Sequence, residues 1–334
     1  MFDRIELFCA YNMFCTVFTN NLLLPSPPSL CMQTGDHCLE STCDTLSVAY
    51  AERYPQHVEK LILLSPVGVP EKSPKEDESK LNNLPFYVRY MIHTVRYLFN
   101  RGITPGTFLR SLPTSKSKAL VDGYVTNRLP AITCPDERKH LSDYLYHNSM
   151  LPGSGEFCLS EILDAGAMGK IPLVHRIPEL VTNSTSSEDG MEVHMVYGQN
   201  DWMSYRGGLD TQRFCYTKRL QWEEENSQKK KNGNSISKMP PPRVYVHGVK
   251  DASHLLMLDN YQEFNAALII ASGQDEKDLP PEMPRPTEFV CNELLNDRSR
   301  SLGKSNVVGE EGAAVFFKGA RWNRGKGRQD DSEQ

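Results

Sequence analysis

The chain has 334 residues, which is enough for one large domain or two of ordinary size. Its formal net charge of -5 and its isoelectric point near 6.0 give no reason to expect a nucleic-acid partner, which would require a basic face. Five of the nine cysteines fall within the first 43 residues, and the other four lack the spacing of zinc ligands or of a disulfide framework. We therefore expect a reduced intracellular protein with no metal site and no cofactor.

Residues 1–45 have an atypical composition. The stretch 8–24 is apolar but is interrupted by Asn and Thr, and the acidic residues Asp3 and Glu6 stand where a targeting peptide would carry positive charge. The same stretch is too short and too polar for a membrane span. We expect a poorly structured leader over 1–45.

Helices and strands alternate in the next part of the chain. Small side chains over 46–54 predict a short helix that packs on a sheet, and the apolar run 61–64 predicts a strand covered on both faces. Two further apolar runs, 193–197 and 243–249, predict strands that are each followed by a loop and a helix. The pattern indicates an α/β fold with a parallel sheet, whose core spans 46–70 and 190–272.

A helical insertion separates the first two of these strands. It is too long to be a loop within a compact domain, so we predict a helical cap over 71–189. Low-complexity composition predicts a disordered insertion over 222–242 and a disordered tail over 273–334.

The cap helix that begins after Pro85 is amphipathic. One predicted face carries Arg89, His93 and Arg96. The opposite face is apolar and includes Met91, Val95 and Leu98.

Two polar residues follow successive strands in an order that indicates catalysis. Asp201, in YGQNDWM, follows the second strand, and His254, in KDASHLLML, follows the third. Loops at the carboxyl ends of neighbouring parallel strands meet at one edge, where a carboxylate can orient an imidazole as a general base. Separately, Asp201 has a helix-capping explanation and His254 a core-histidine explanation, whereas the ordered pair favours function.

Four segments carry a more specific resemblance: LSVAYAERYPQHVEKLILLSPVGVPE, LPGSGEFCLSEILDAGAMGKIPLVHRIPEL, VYGQNDWM and ASHLLMLDNYQEFN. Together, over about 46–272, the chain resembles the α/β-hydrolase family of lysophosphatidic-acid acyltransferases and cardiolipin-specific phospholipases. The resemblance implies a phospholipid or acyl-ester substrate, Asp201 as the acid and His254 as the base. For such a substrate, Met91, Val95 and Leu98 of the cap helix are expected to line an acyl-chain tunnel. Arg89, His93 and Arg96 are expected to meet phosphate headgroups or an anionic membrane surface, and a simply solvated helix face is the alternative. The resemblance also implies a location at mitochondria or lipid-associated membranes.

The pattern His254-x4-Asp259 matches the acyltransferase motif of that family. The resemblance assigns acyl transfer to this pair. The alternative for Asp259 is a structural one, because Asp259 and Gln262 also have the spacing of a helix-start capping arrangement.

The nucleophile position departs from the family pattern. A Gly-x-Ser-x-Gly elbow should precede the helix at 46–54, and Ser41 falls in the serine register, but Leu39 and Cys43 occupy the glycine positions. Only 40 residues precede Ser41, whereas a complete core of this fold places about five strands before the elbow. We therefore expect an incomplete α/β-hydrolase fold, its C-terminal half, with impaired catalysis. A non-catalytic lipid- or partner-binding pseudoenzyme and another ester hydrolase or peptidase of the same fold remain the alternatives.

Overall fold

The computed structural model describes residues 15–18, 42–71, 81–129, 132–181, 190–232, 239–274, 279–298 and 307–317. The strands are β1 (Cys15–Phe18), β2 (Lys60–Leu64), β3 (Leu163–Asp164), β4 (Met168–Gly169), β5 (Glu192–Gly198), β6 (Arg243–Val249), β7 (Thr287–Val290) and β8 (Val307–Gly309).

The α-helices over the same ranges are α1 (Thr42–Arg53), α2 (Phe86–Asn100), α3 (Pro105–Ser111), α4 (Thr114–Arg128), α5 (Pro135–Ser149), α6 (Leu159–Ile162), α7 (Leu173–Arg176), α8 (Tyr205–Lys231), α9 (Leu256–Asp259), α10 (Tyr261–Ala271), α11 (Asn292–Arg298) and α12 (Glu310–Phe316). None of these described helices is both long enough and apolar enough to cross a membrane.

A six-stranded, mostly parallel sheet organises the fold, in the order β1-β2-β5-β6-β7-β8. Strands β2, β5 and β6 are parallel to one another, so their carboxyl ends lie at one edge. Strand β1 is antiparallel to β2, β7 is antiparallel to β6, and β8 is parallel to β7. The prediction of an α/β fold is confirmed, and the sheet is mostly parallel, with antiparallel pairs at β1–β2 and β6–β7.

Both faces of the central strands are covered. Leu61 and Leu63 pack into a cluster with α1, α7, α8 and α12, whereas Ile62 and Leu64 pack against α10 on the other face. Successive strand residues point to opposite faces, so a strand buried on both sides has a continuous apolar sequence. This burial explains the unbroken run LILL in β2.

The segment predicted to be a disordered insertion, 222–242, is helical over its first ten residues, because α8 continues to Lys231. Glu223–Glu225 precede Lys229–Lys231 within this helix, at spacings that include Glu225 to Lys229. Glu and Lys are good helix formers, the i,i+4 order is the favourable one, and lysines in the last turn suit the helix dipole. Residues 233–238 lie outside the described residues.

The predicted disordered tail, 273–334, contains two strands and two helices of the fold. The buried Phe289 of β7 packs against Phe316 and Phe317, whose ring centroids lie 5.0 and 5.1 Å from its own. These contacts join residues that are far apart in a polar sequence. The local pattern of apolar residues therefore did not indicate that the segment is folded. Within the predicted leader, the described strand β1 pairs with β2. The tail residues 275–278, 299–306 and 318–334 and the leader outside β1 and 42–45 lie outside the described residues.

The helices between β2 and β5 contact the loops at the carboxyl edge of the sheet. Leu255 packs against the cluster that α4 and α5 form around Val125 and Leu145. Phe99, near the end of α2, and Met203 both pack on a second cluster that contains Leu159 and Leu163. The described part of 71–189 therefore reaches the two loops that carry Asp201 and His254.

Candidate functional site

Backbone hydrogen bonds join the loops that follow β5 and β6. The N–H of Gln199 donates to the Val249 carbonyl at 2.9 Å, and the N–H of Asn200 donates to the Ala252 carbonyl at 2.8 Å. A Cβ at position 198 would collide with the Ala252 and Ser253 carbonyl oxygens, so only glycine allows the loops to approach this closely. The close contact of the two loops therefore requires the glycine at position 198 in YGQND.

This approach brings Asp201 and His254 together, as the sequence predicted. Nδ1 of His254 lies 3.0 Å from Oδ1 of Asp201, and the N–H of Met203 donates to the same oxygen at 2.9 Å. The carboxylate side chain is 1% exposed and the imidazole is 18% exposed. An ionised carboxylate only accepts, so Nδ1 carries the hydrogen and Nε2 is left as the basic nitrogen. This is the arrangement of an acid that orients a general base.

Two neighbours of the His254–Asp201 pair were not expected from the sequence. The indole of Trp202 lies with its ring centroid 5.1 Å from that of His254, and half of its surface is exposed. Ser65, directly after β2, donates from Oγ to the His254 carbonyl at 3.5 Å and from its N–H to the Val196 carbonyl at 2.8 Å. Ser65 is buried and has a φ of 49°, which a non-glycine residue seldom adopts. The dipeptide Ser-Pro after a strand was the only available signal.

Asp259 lies beside the loop that carries His254 and accepts hydrogen bonds from Ser253 of that loop. Its Oδ2 accepts a hydrogen bond from the N–H of Ser253 at 2.7 Å and a second one from Ser253 Oγ. The helix-start cap that the sequence suggested for Asp259 is made instead by Asn260, whose side chain accepts from the N–H of Glu263 at 3.2 Å. Asp259 therefore fixes the turn that carries His254.

The nucleophile question centres on the start of α1. Ser41 and Leu39 lie outside the described residues, and the side chain of Cys43 is not described. Asp44, where the family pattern has a small residue, is completely buried, and burial raises its pKa well above the usual value. The pKa of Tyr197 is raised by burial and by the charges of Asp201 and Asp44, which places both acids near one phenol. The role of Ser41 stays a prediction.

The predicted acyl tunnel is not formed by the residues named for it. Met91, Val95 and Leu98 are 58%, 56% and 37% exposed. An apolar cavity of about 260 Å³ lies instead between α3 and α4, against Leu109 and Val121. Of the charged face, His93 is exposed and Arg89 and Arg96 are half-buried. Among the described residues, no group of three His, Cys, Asp or Glu side chains could hold a metal ion.

Three curated proteins similar to this chain are named for the same activity. A 1-acylglycerol-3-phosphate O-acyltransferase of Arabidopsis thaliana is 28% identical over 173 residues, which are 50% of this chain and 38% of the plant protein. A probable enzyme of the same name from Oryza sativa subsp. japonica is 27% identical over 173 residues, 50% of this chain and 39% of its own. A third, from Saccharomyces cerevisiae, is 24% identical over 240 residues, 67% of this chain and 51% of the yeast protein.

The chain thus spans between 38% and 51% of the length of these relatives. No protein-family model matches it, and no solved structure matches it either. The similarity is to lysophosphatidic-acid acyltransferases, at low identity and over half of this chain or somewhat more.

Proposed function

We propose that this chain carries the acid–base machinery of a glycerophospholipid acyltransferase that acylates the free hydroxyl of a 1-acylglycerol 3-phosphate. The observation that carries the proposal is the 3.0 Å contact between His254 Nδ1 and the buried Asp201 carboxylate. The activity for which the three relatives are named supports the reaction class. The parallel sheet with both residues at its carboxyl edge supports an α/β-hydrolase fold, which we propose with it.

The chemistry requires one proton to move twice. As the acceptor hydroxyl attacks the acyl carbonyl, its proton passes to Nε2 of His254, and a C–O bond forms. The bond between the acyl carbon and the leaving group then breaks, and His254 returns the proton to that group. Asp201 stabilises the imidazolium between the two steps and keeps the ring in one tautomer. Positioned general-base catalysis of this kind contributes about 10²- to 10⁴-fold in rate.

The donor acyl group reaches the acceptor by one of two routes. It passes directly, or it first forms an ester with Ser41, for which His254 would be the base. The cavity between α3 and α4 is apolar and, at about 260 Å³, suits part of one acyl chain.

The test is transfer of a labelled acyl group from an acyl thioester to 1-acylglycerol 3-phosphate by the purified chain. We expect His254→Ala and Asp201→Asn to lower the rate by about 10²- to 10⁴-fold, because each removes the oriented base. The control is His140→Ala, since His140 is an exposed imidazole on α5.

The outcomes separate the remaining alternatives. Release of free fatty acid, with no labelled phosphatidic acid, would identify an ester hydrolase. No turnover of either kind would leave a non-catalytic lipid-binding protein and would refute the proposal. Loss of fluorophosphonate labelling in Ser41→Ala would establish the acyl-serine route, whereas transfer that persists in Ser41→Ala would establish the direct one.

A further inference from the structure

Helix α2 exposes its apolar side chains although it is fifteen residues long and strongly amphipathic. None of its residues is buried. Its exposed large apolar and aromatic side chains are Phe86, Tyr87, Tyr90, Met91, Val95, Tyr97 and Leu98, and we call these seven residues the α2 face. A contiguous apolar surface on a folded protein marks a binding surface for a membrane or a protein partner.

The α2 face has the outline of a helix that lies flat on a lipid surface. At 100° per residue, its seven side chains occupy one half of the helix circumference. Arg89, His93 and Arg96 follow along one border of that half. Such an order, with aromatic and apolar side chains flanked by basic ones, is typical of interfacial helices. Arg101, just after the helix, places its guanidinium 5.1 Å from the ring centroid of Tyr97.

The charge of the segment around α2 favours a lipid surface over a protein as the partner of the α2 face. Residues 81–121 contain no Asp or Glu, in a chain whose net charge is -5. The cationic residues in that stretch are Arg89, Arg96, Arg101, Arg110, Lys116 and Lys118. Arg110 forms an ion pair with Glu156, and the other five cations lie in a stretch that has no acidic residue of its own. An unbroken positive segment complements the negative surface of an anionic phospholipid membrane.

The inner side of the same helix leads to the His254–Asp201 pair. Phe99 packs on the cluster that also contacts Met203, and the N–H of Met203 donates to Asp201. Helix α2 is therefore joined to the candidate site through the cluster that contains Leu159 and Leu163.

We propose that the α2 face docks on the surface of anionic phospholipid membranes, with its aromatic and apolar side chains in the headgroup–acyl boundary. The arginines bordering it bind lipid phosphates. This surface goes beyond the proposed acyl transfer and does not depend on it, because docking needs neither His254 nor a nucleophile.

The experiment is vesicle flotation of the full chain with phosphatidylcholine alone and with added phosphatidic acid. We expect binding to the anionic vesicles only. Tyr90→Ser/Met91→Ser/Val95→Ser should weaken it by about tenfold or more, since three exposed side chains no longer enter the lipid. Arg89→Gln/Arg101→Gln should weaken binding by about 25-fold, from roughly fivefold for each cation, and added salt should also weaken it.

Matched controls make the result specific. Leu151→Ser/Ile171→Ser/Leu220→Ser changes three exposed apolar residues elsewhere, and Lys139→Gln/Lys230→Gln changes two exposed cations elsewhere. Both controls should bind like the unmodified chain. All substituted side chains are at least partly exposed, so thermal unfolding should be unchanged and will verify that each variant folds.

Three results would overturn the proposal. These are equal binding to neutral and anionic vesicles, unchanged binding of the triple α2 variant, or loss of self-association by that variant with vesicle binding intact. The last result would assign the α2 face to a second copy of the chain. His254→Ala should float like the unmodified chain, so failure of the proposed activity and failure of docking are distinguishable.

Discussion

The Asp259 carboxylate organises the loop of His254 through Ser253. It accepts both the N–H and the hydroxyl of Ser253, the residue immediately before His254. Ser65 holds the other side of that loop at the His254 carbonyl. These contacts explain a motif of His and Asp five positions apart without requiring Asp259 to react. We infer that Asp259 is a positioning residue.

Substitution of Asp259 separates positioning from direct chemistry. Asp259→Ala leaves the Ser253 N–H without its acceptor, so we expect a loss of about 1–3 kcal/mol in the free energy of unfolding. Asp259→Asn keeps an acceptor oxygen and should restore most of that stability and most of any acyl transfer. Denaturant unfolding and kcat against KM measure the two effects.

The control for Asp259 is Asp251→Asn, an exposed acid on the same loop. If Asp259→Asn were as stable as the unmodified chain but as inactive as Asp259→Ala, the carboxylate itself would take part in the reaction. The positioning role would then be wrong.

Strands β5 and β6 share a buried pair of histidines, on the sheet face that carries Val196 and Val249. Nδ1 of His194 lies 3.1 Å from Nε2 of His247, and the rings are stacked with centroids 5.4 Å apart. One ring must donate and the other accept, so at least one of the two facing nitrogens is unprotonated. The titratable or charged groups around His194 are Glu192, Lys60, Tyr245, His247 and Glu288.

This pair predicts that stability falls in mild acid. Burial lowers the pKa of His194 below its usual 6.5, so the unfolded chain binds the proton more readily than the folded one. The contribution of His194 is therefore complete above about pH 6.5 and is lost as the pH falls below it, by at most about 1.4 kcal/mol per pH unit. Denaturant unfolding between neutral and mildly acidic pH measures the decline.

His194→Gln should flatten that decline, because the amide does not titrate in this range. His140→Gln, on the exposed surface of α5, is the matched control and should leave the decline unchanged. A decline as steep in His194→Gln as in the unmodified chain would assign the acid sensitivity to other groups.

The central sheet and the His254–Asp201 pair were predictable because short stretches of sequence indicate them. Each of β2, β5 and β6 is a short apolar run, and chain order places Asp201 and His254 after neighbouring strands. The position of Ser65 beside His254 and the contact of Asp259 with Ser253 form only in the folded loops. The spacing of these residues in the sequence does not predict either contact. Helix α2 has apolar side chains on more than half of its circumference, including Val88, Ile92 and Phe99, so its sequence does not indicate which stripe faces the core.

At the scale of the whole molecule, the segment after residue 272 is part of the fold, because it adds strands β7 and β8 to the sheet. Gln212 of α8 donates from its amide to the Phe289 carbonyl at 3.4 Å and accepts the N–H of Cys291 at 2.8 Å. Arg213 forms ion pairs with Glu293 at 2.9 Å and with Glu310 at 2.5 Å. The aromatic cluster of Phe289, Phe316 and Phe317 covers β6 at Gly248, where a Cβ would collide with the Phe289 ring.

Phe289→Ala tests whether this segment contributes to stability. A buried phenylalanine replaced by alanine loses about 3–5 kcal/mol in the free energy of unfolding, so we expect a large fall in the denaturant midpoint. Phe214→Ala, at a half-exposed site on α8, is the matched control and should cost less than about 1 kcal/mol. Removal of 273–334 should destabilise the chain at least as much as Phe289→Ala, because it also uncovers the edge of β6. If both changes left the midpoint where it was, the tail would be the disordered segment that its composition suggests, and β6 would be an edge strand.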